Sequence, residues 1–514
     1  MAGYDVVVIG SGAGGLSAAL KVARSGYKTL LLEAMSSFGG YLNPFHRRGY
    51  TFDAGLHYVA TLAEGESFWR LLEELGVRKA VEFVELDPDG FDRFVFPDYE
   101  FALCKGKERF RERLIQAFPR EERGINRFFE ILRQVIEATT ASRSMGDGPF
   151  AMLGFLLKHP VMLNYSRIPY QKLLDEVTSD RRLQAVLAGQ SGTYGLPPAR
   201  ASVLIVLMAL NYYLSGAYYP KGGSGALRDA FLNALRTQGA EMKLSARVSR
   251  ITKERGDFLV VTESGEQYPA RVVISNADPA ITLGKLVDAK IVPTKIRERV
   301  GRLRPSMGAC CAFIGTDLDL PAHSMTNANI QHYENLDVNR VFEALNAATL
   351  QERMPFCFIS SASLKDPQGG HAPEGRHTVE IVTCARYEDF QKWASLPVTK
   401  RGEEYDTLKK KIGRQLVTTA ERYLPGLSQH LDVVEFSTPL SNEHWVSAVR
   451  GGMYGPEQTP DQMGKGRFSA CTSGVDGLFL AGAGAIAAGV NACVASGLIA
   501  GRKAAGYLLE RGTT

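Results

Sequence analysis

The sequence predicts a mixed α/β (α+β) fold in which a Rossmann-like nucleotide-binding domain is assembled from discontinuous segments, with a sheet-plus-helices substrate domain inserted between them. Three observations carry this expectation. The N-terminus reads as strand, glycine turn, helix and strand. A long helical stretch follows near the end of the first hundred residues. The C-terminal "GLFLAGAGAIAAGVNACVASGLIAG" again reads as a buried strand entering a glycine turn and a small-residue helix. At 514 residues the chain exceeds one ordinary core of ~100–200 residues, so more than one packed unit is expected.

The first unit is the most explicit. "YDVVVI" is a β-branched run suited to a parallel strand covered on both faces. Leu16, Leu20 and Ala23 then repeat at helical spacing, Gly26 ends that helix, and "KTLLLEA" is the next strand. Between strand and helix, Gly10, Gly12 and Gly15 form G-x-G-x-x-G. Gly10 permits the tight turn, Gly12 lets backbone approach a pyrophosphate at the helix N-terminus, and Gly15 lets helix and strand pack closely. Glu33, closing the second strand, is placed to accept ribose hydroxyls and disfavours a 2′-phosphate. A dinucleotide is therefore expected, although this motif does not separate NAD from FAD. No second copy of the motif in strand–helix context offers an internal nicotinamide site.

The expected division is residues 1–103 and 214–309 as two parts of the nucleotide-binding domain, with 471–514 as the third. Residues 104–213 form a helical insert lining or covering the substrate site, and 310–470 form the substrate-binding domain. "KERFRERLIQAFPREERGINRFFEILRQVIEA", "PFAMLGFLLKHPVM", "YQKLLDEV" and "ASVLIVLMALNYY" carry the helical patterns of the insert. After Tyr218 a helix leads into a meander of short strands broken at Arg255–Gly256 and Ser264–Gly265. "PFCFISSASL" and "HTVEIVTCAR" then mark a second sheet.

Apolar residues at 45% and charged residues at 22% are those of a globular chain. Sixty Lys+Arg against 55 Asp+Glu leave only +5, without a basic tail, which argues against nucleic acid as a partner. The seven cysteines contain no CxxC pair and read as buried thiols of a reducing compartment. The vicinal Cys310–Cys311, in an apolar run, is expected to pack rather than to do redox work. No secretory signal precedes the first strand, so a cytoplasmic location is expected. Gly477–Gly501 is uncharged and long enough to span a membrane, but its glycines and alanines favour the buried reading. No His/Cys/Asp/Glu cluster has metal-ligand spacing, so no metal is expected.

"EAMSSFGGYLNPFHRRGYTFDAGLHYV", "YYPKGGSGALRDAFLNAL", "GGMYGPEQTPDQ" and the C-terminal glycine segment resemble the two-dinucleotide-binding-domain flavoproteins, the group of amine oxidases, carotenoid desaturases and isomerases, and retinol saturases. The resemblance covers nearly the whole chain and is weakest over about 104–210. It implies FAD as cofactor, with Gly10, Ser11, Gly12, Ala13, Gly14 and Gly15 at the pyrophosphate and Glu33 with Ala34 at the adenosine ribose. Gly39 and Gly40 would pass near the diphosphate, Val248 would meet adenine, and Gly482 and Gly484 would lie along the ribityl-phosphate. Gly55 would approach the isoalloxazine. Gly489, Val490 and Asn491 would begin a helix whose dipole favours negative charge on the reduced flavin. Where many relatives carry Arg after the Gly–Gly pair, this chain has Tyr41, and Arg47 or Arg48 is the candidate substitute.

The resemblance also implies an FAD-dependent oxidoreductase or isomerase acting on double bonds of a polyene lipid, retinoid or carotenoid, by hydride exchange at flavin N5. The substrate would be an apolar polyene or isoprenoid, with an external electron donor or acceptor where hydrogens are gained or lost. The apolar segments of the insert suggest peripheral docking on a membrane. His57 is the candidate catalytic residue, with a purely structural histidine as its alternative; His444 is a weaker candidate, and Asp53 is expected to fix its turn. Two other functions stay open: an isomerase of polyunsaturated fatty acids, and a flavin-free prenyl-lipid escort of the GDP-dissociation-inhibitor type. An amine oxidase has no signal beyond the shared scaffold.

Overall fold

The computed structural model describes residues 3–142, 149–254 and 256–512. Part of the expected insert, 143–148, and Arg255 of the expected strand break lie outside them. Strand Tyr4–Ile9 lies at the centre of a seven-stranded sheet, parallel to Thr29–Leu32 on one side and to Gln267–Ser275 on the other. Glu241–Lys243 extends the sheet beyond Thr29–Leu32. Gln267–Ser275 is long enough to fork. Its first half pairs antiparallel with Asp257–Thr262, whereas its end pairs in parallel with the C-terminal strand Leu478–Leu480.

The C-terminal strand is followed by helix Val490–Gly512, which packs lengthwise on the first helix, Ala13–Arg24. Small residues make that contact close: a Cβ on Gly497 would collide with the Gly14 carbonyl, and Ser17 Oγ donates to the Val494 carbonyl at 2.8 Å. The uncharged C-terminal stretch is thus a buried strand and a packed helix. Among the described residues no helix is long and apolar enough to cross a membrane.

The second sheet also has seven strands, and all its neighbouring pairs are antiparallel except Asn329–Tyr333 beside Asp92–Phe96. Here the expected division needs correction. Asp92–Phe96 and Tyr99–Leu103, assigned to the first segment, form one edge of the second sheet. A short apolar-alternating hairpin pairs with whichever edge its register fits, and position in the chain does not reveal which edge that is.

Residues directly opposite one another across these strands share a face. One row runs Phe94, Gln331, Phe358, Val382 and Cys311. A second joins Tyr333 to Phe356 and Cys384 to Ala309. On the other side of the first row lie the pairs Asp92–Asn329 and Ser360–Glu380. The face is therefore apolar except for one polar margin and one glutamine. All seven cysteines are unpaired thiols, and Cys310 and Cys311 sit in the wholly buried strand Gly308–Thr316, where burial pushes both thiols up. The insert, from helix Lys107–Ala117 to helix Val203–Tyr213, covers the open side of the second sheet: Gly192 abuts Phe356 and Gly189 abuts Phe94.

Asp92, fully buried in the polar margin, accepts from Tyr58 Oη at 2.8 Å and Asn329 Nδ2 at 2.9 Å. Burial nevertheless raises its carboxyl from 3.8 to about 6, against those hydrogen bonds. A carboxyl whose pKa is raised by folding stabilises the fold fully below its unfolded value, and that contribution is lost as pH rises through the folded one. Thermal unfolding of Asp92→Asn and the parent should therefore converge in pH dependence outside the window from 3.8 to about 6 and diverge inside it, the parent alone losing stability there. Parallel profiles across that window would contradict the assignment.

Candidate functional site

One cavity of about 2140 Å³ runs from the first sheet's glycine turn to the second sheet's apolar face. Ligand pockets usually hold ~300–1,000 Å³, so this one has room for more than a single ligand. At one end it is lined by Gly10, Ser11, Gly12, Ala13 and Gly14. Gly10 has φ +86°, a conformation that favours glycine, and its N–H donates to the Leu32 carbonyl at 2.8 Å. Gly15 does not line the cavity. A Cβ there would strike the Gly10 carbonyl, so its role is the close packing of helix on strand.

Glu33 and Ala34 line the same arm, and Glu33 is only 8% exposed. Its Oε2 accepts from Ser11 N at 2.9 Å and Ser11 Oγ at 2.5 Å, while Oε1 accepts from Met35 N at 2.9 Å. A carboxylate has about four acceptor positions, so capacity for a further donor remains on Oε1. Ser11 Oγ in turn accepts from Gly39 N at 2.9 Å, which ties the first glycine turn to the Gly39–Gly40 turn. Gly39, Gly40 and Val248 all border this arm.

Gly482, Gly484, Gly489, Val490 and Asn491 form the opposite wall, from the C-terminal strand to the start of its helix. Asn491 Nδ2 donates to Thr61 Oγ1 at 3.2 Å and Ser67 Oγ at 3.3 Å, fastening that helix start to the Thr61 loop. Three residues that sequence reasoning missed also belong here. Asn276, just after strand Gln267–Ser275, sits where the glycine turns meet; a Cβ on Gly12 would come within 2.8 Å of its Nδ2, and its Oδ1 is buried without a partner. Arg247 and Lys285 bring positive charge to the arm. They stand in loops or irregular helix with no motif around them.

The candidate substitutes for the absent arginine require correction. Arg47 is exposed, donates to Glu435 Oε1 at 2.9 Å and does not line the cavity; Arg48 is exposed outside it as well. Both belong to a hairpin, Arg47 ending strand Phe45–Arg47 and Arg48 in the turn that leads to Tyr50–Phe52, which carries them away from the glycine turn. Tyr41 itself lines the cavity. Its ring lies against Gly55, where a Cβ would come within 2.7 Å, and its buried hydroxyl has no partner. Gly55 thus borders the cavity in contact with Tyr41.

His57 lines the same cavity. Its Nδ1 is 2.9 Å from Glu380 Oε2, and its ring stands 5.1 Å from that of Phe358. With Nδ1–H donating to the carboxylate, Nε2 is the nitrogen that carries the lone pair. Glu380 Oε1 also accepts from Asp53 N at 3.1 Å. Asp53 is buried and accepts from Ser224 N at 3.0 Å, Ser224 Oγ and Tyr219 Oη, so it ties its turn to the start of helix Gly223–Thr237. Burial and the neighbouring Glu380 raise the Asp53 carboxyl. Lys365, also buried, donates to the His57 carbonyl at 2.8 Å and to Ser360 Oγ at 2.5 Å. Burial lowers its ammonium to about 8, with Glu380, Asp92 and Asp53 pulling the other way. His444 stands outside the cavity wall.

Beyond His57 aliphatic and aromatic side chains dominate the walls, with Gln331 among them. Phe356, Phe358, Val382 and Cys311 come from the second sheet, and Ile136, Ile205, Met208 and Ala209 from insert helices Glu122–Ala141 and Val203–Tyr213. The glycine-lined arm and the spare acceptor of Glu33 match the needs of a dinucleotide: close backbone approach to the diphosphate and ribose recognition. The residues present therefore fit a flavin dinucleotide, and the apolar arm meets that site beside His57, Gly55 and Tyr41.

The comparisons agree with this geometry. An all-trans-retinol 13,14-reductase from Danio rerio is 27% identical over 488 residues, 91% of this chain and 79% of the relative. A chloroplastic prolycopene isomerase 1 from an Oncidium hybrid cultivar is 25% identical over 493 residues, 93% of this chain and 80% of the relative. Among solved structures, an oxidoreductase from Methanosarcina mazei superposes with a TM-score of 0.66 at 15% identity, covering 96% of this chain and 98% of that one, a likeness of fold. The family model described as flavin containing amine oxidoreductase matches residues 13–509. The chain belongs to the flavin-containing amine oxidoreductase family, and it is an FAD-dependent enzyme of that family's fold.

Proposed function

We propose that this enzyme transfers hydrogen to or from, or rearranges, the double bonds of a polyene lipid. The observation that carries the reading is the continuity of the cavity, in which an aromatic and aliphatic arm opens directly into the glycine-lined dinucleotide arm. A polyene has few polar handles, so its binding rests on buried area at ~25 cal/mol per Å². Phe358, Phe356 and Val382 with the insert helices supply that surface and exclude water. The relatives that act on a retinoid and a carotene by name support the same substrate class.

The bound flavin would supply hydride acceptance and return at a carbon beside the conjugated chain. The rest falls to the protein. Gly10–Gly14, Glu33, Arg247 and Lys285 would hold the dinucleotide, and Gly489–Asn491 would present a helix N-terminus, which favours developing negative charge. His57, held by Glu380 and facing the lipid arm, would take or give a proton at Nε2. Asp53 and Lys365 act through it: one holds Glu380's neighbouring turn, the other holds the His57 carbonyl. Saturation would draw two electrons from an external donor, desaturation would pass them to an acceptor, and isomerisation would need neither.

The lipid also has to reach the cavity. Four of the exposed large apolar residues fall within a short stretch of the insert: Met152 at 37%, Leu153 at 56%, Leu157 at 73% and Leu163 at 60%. This cluster suits shallow contact with a bilayer from which the substrate enters.

Two experiments test these points. Purified holoenzyme is incubated with all-trans-retinol, a cis-carotenoid and a polyunsaturated fatty acid, with the flavin oxidised or prereduced. A retinoid or carotenoid product two hydrogens heavier or lighter, or of equal mass and new retention time, is expected. His57→Gln should lower that rate by ~10²–10⁴ while keeping the flavin spectrum. Conversion of the fatty acid alone, or an unchanged rate in the variant, would overturn the respective assignment. Separately, Leu153→Ser/Leu157→Ser/Leu163→Ser should cut sedimentation with phosphatidylcholine vesicles at least tenfold, since each buried leucine is worth ~1.5–3 kcal/mol. Equal sedimentation of parent and variant would refute docking through this surface.

A further inference from the structure

Gln331 is out of place. It stands in the apolar row between Phe94 and Phe358, is fully buried, and lines the cavity. Neither its Oε1 nor its Nε2 has a hydrogen-bond partner. Among the described residues it is the one cavity-lining amide with both its oxygen and its nitrogen buried and unused; the other cavity-lining group left wholly without a partner is the Tyr41 hydroxyl, beside Gly55. Three tyrosine hydroxyls of the surrounding wall are already engaged: Tyr333 Oη donates to the Gly189 carbonyl at 2.7 Å, Tyr194 Oη pairs with Ser191 Oγ at 3.1 Å, and Tyr58 Oη donates to Asp92 at 2.8 Å. A buried amide left unsatisfied is destabilising, and such groups in folded proteins call for an explanation.

A primary amide offers both N–H donors and a carbonyl acceptor. An alcohol matches it, since one hydroxyl can donate to Oε1 and accept from Nε2. A hydrocarbon satisfies neither. A carboxylate offers acceptors only and would bring a charge into a stretch of wall without a cation, because the lining Arg and Lys residues are Arg70, Arg247, Lys285 and Arg502, none of them on the second sheet. We infer that Gln331 is a specificity-determining residue that binds an uncharged hydroxyl of the lipid, selecting a polyene alcohol over the corresponding ether, acid or hydrocarbon. This rests on the polyene reading of the same cavity. It adds that the substrate carries an oxygen function and that the oxygen binds one strand away from Phe358, whose ring neighbours His57.

The test uses flavin-loaded enzyme and three probes, all-trans-retinol, its methyl ether and retinoic acid, with affinities read from quenching of protein fluorescence. The parent should bind the alcohol roughly tenfold or more tightly than the ether, the effect of leaving one buried hydrogen-bonding group unpaired. Gln331→Leu should abolish that preference while binding the ether as well as or better than the parent. Its ligand-free thermal midpoint should be unchanged or higher, because the substitution removes an unsatisfied buried amide. Gln331→Met, nearer in shape, serves in its place if the leucine variant does not fold. Equal affinity of the parent for alcohol and ether, or a preference that survives the substitution, would overturn the role of Gln331. A lowered midpoint with the preference intact would overturn it too, since the amide would then be structural. Failure of the flavin-loaded parent to bind any of the three would overturn the polyene reading itself.

Discussion

The packing of helix Ala13–Arg24 against helix Val490–Gly512 is the contact on which the rest of the structure depends. It requires small residues on both partners, Gly14, Ser17 and Ala18 against Gly497, with Ser17 Oγ donating to the Val494 carbonyl, and it joins N- and C-terminal segments of the chain. Once made, it places strand Leu478–Leu480 beside Gln267–Ser275 and brings the Gly482 turn up to the Gly10–Gly14 turn, with Asn276 wedged between them. Everything between the two ends must then leave and return. The second sheet and the insert are built on that excursion, and the cavity is the space enclosed where excursion and first sheet meet.

The second constraint is electrostatic. The polar margin of the second sheet holds Asp53, Asp92, Glu380 and Lys365 in or beside one buried layer, each with hydrogen bonds to support it. Buried charges need partners, and Asp53, Glu380 and Lys365 are linked to His57 at the cavity wall, while Asp92 is held by Tyr58 and Asn329. The apolar rows begin immediately beside it. A hydrophobic ligand can therefore lie along Phe356 and Phe358 while its reacting part meets His57, the one imidazole among the described residues that line that space. Chemistry of this kind depends on orientation and the exclusion of water more than on a large set of catalytic groups.

Much of the glycine-lined arm was legible because glycine spacing and strand–helix order are local. Gly10, Gly12, Gly15, Glu33 and the C-terminal Gly482, Gly484 and Gly489 each stand in a short motif, and the structure brings all of them except Gly15 to one cavity. Asn276, Arg247 and Lys285 were not legible, since each reaches the cavity through packing of distant segments. Glu380 could not be linked to His57 for the same reason, as 323 residues separate the partners. The hairpin Asp92–Leu103 was misassigned because strand patterning tells which face is apolar but not which sheet receives it. Gln331 gave no signal either: a glutamine in an apolar strand becomes informative only when its amide is seen to lack partners.

The most direct test of the central claim is an experimental structure of the flavin-loaded enzyme with a non-reactive polyene alcohol bound. The account predicts the dinucleotide along Gly10–Gly14, Glu33 and the Gly482 turn, with the polyene against Phe356 and Phe358 so that its conjugated chain passes His57. Density for the lipid outside this cavity, or a dinucleotide that closes the apolar arm off from its own ring, would contradict it.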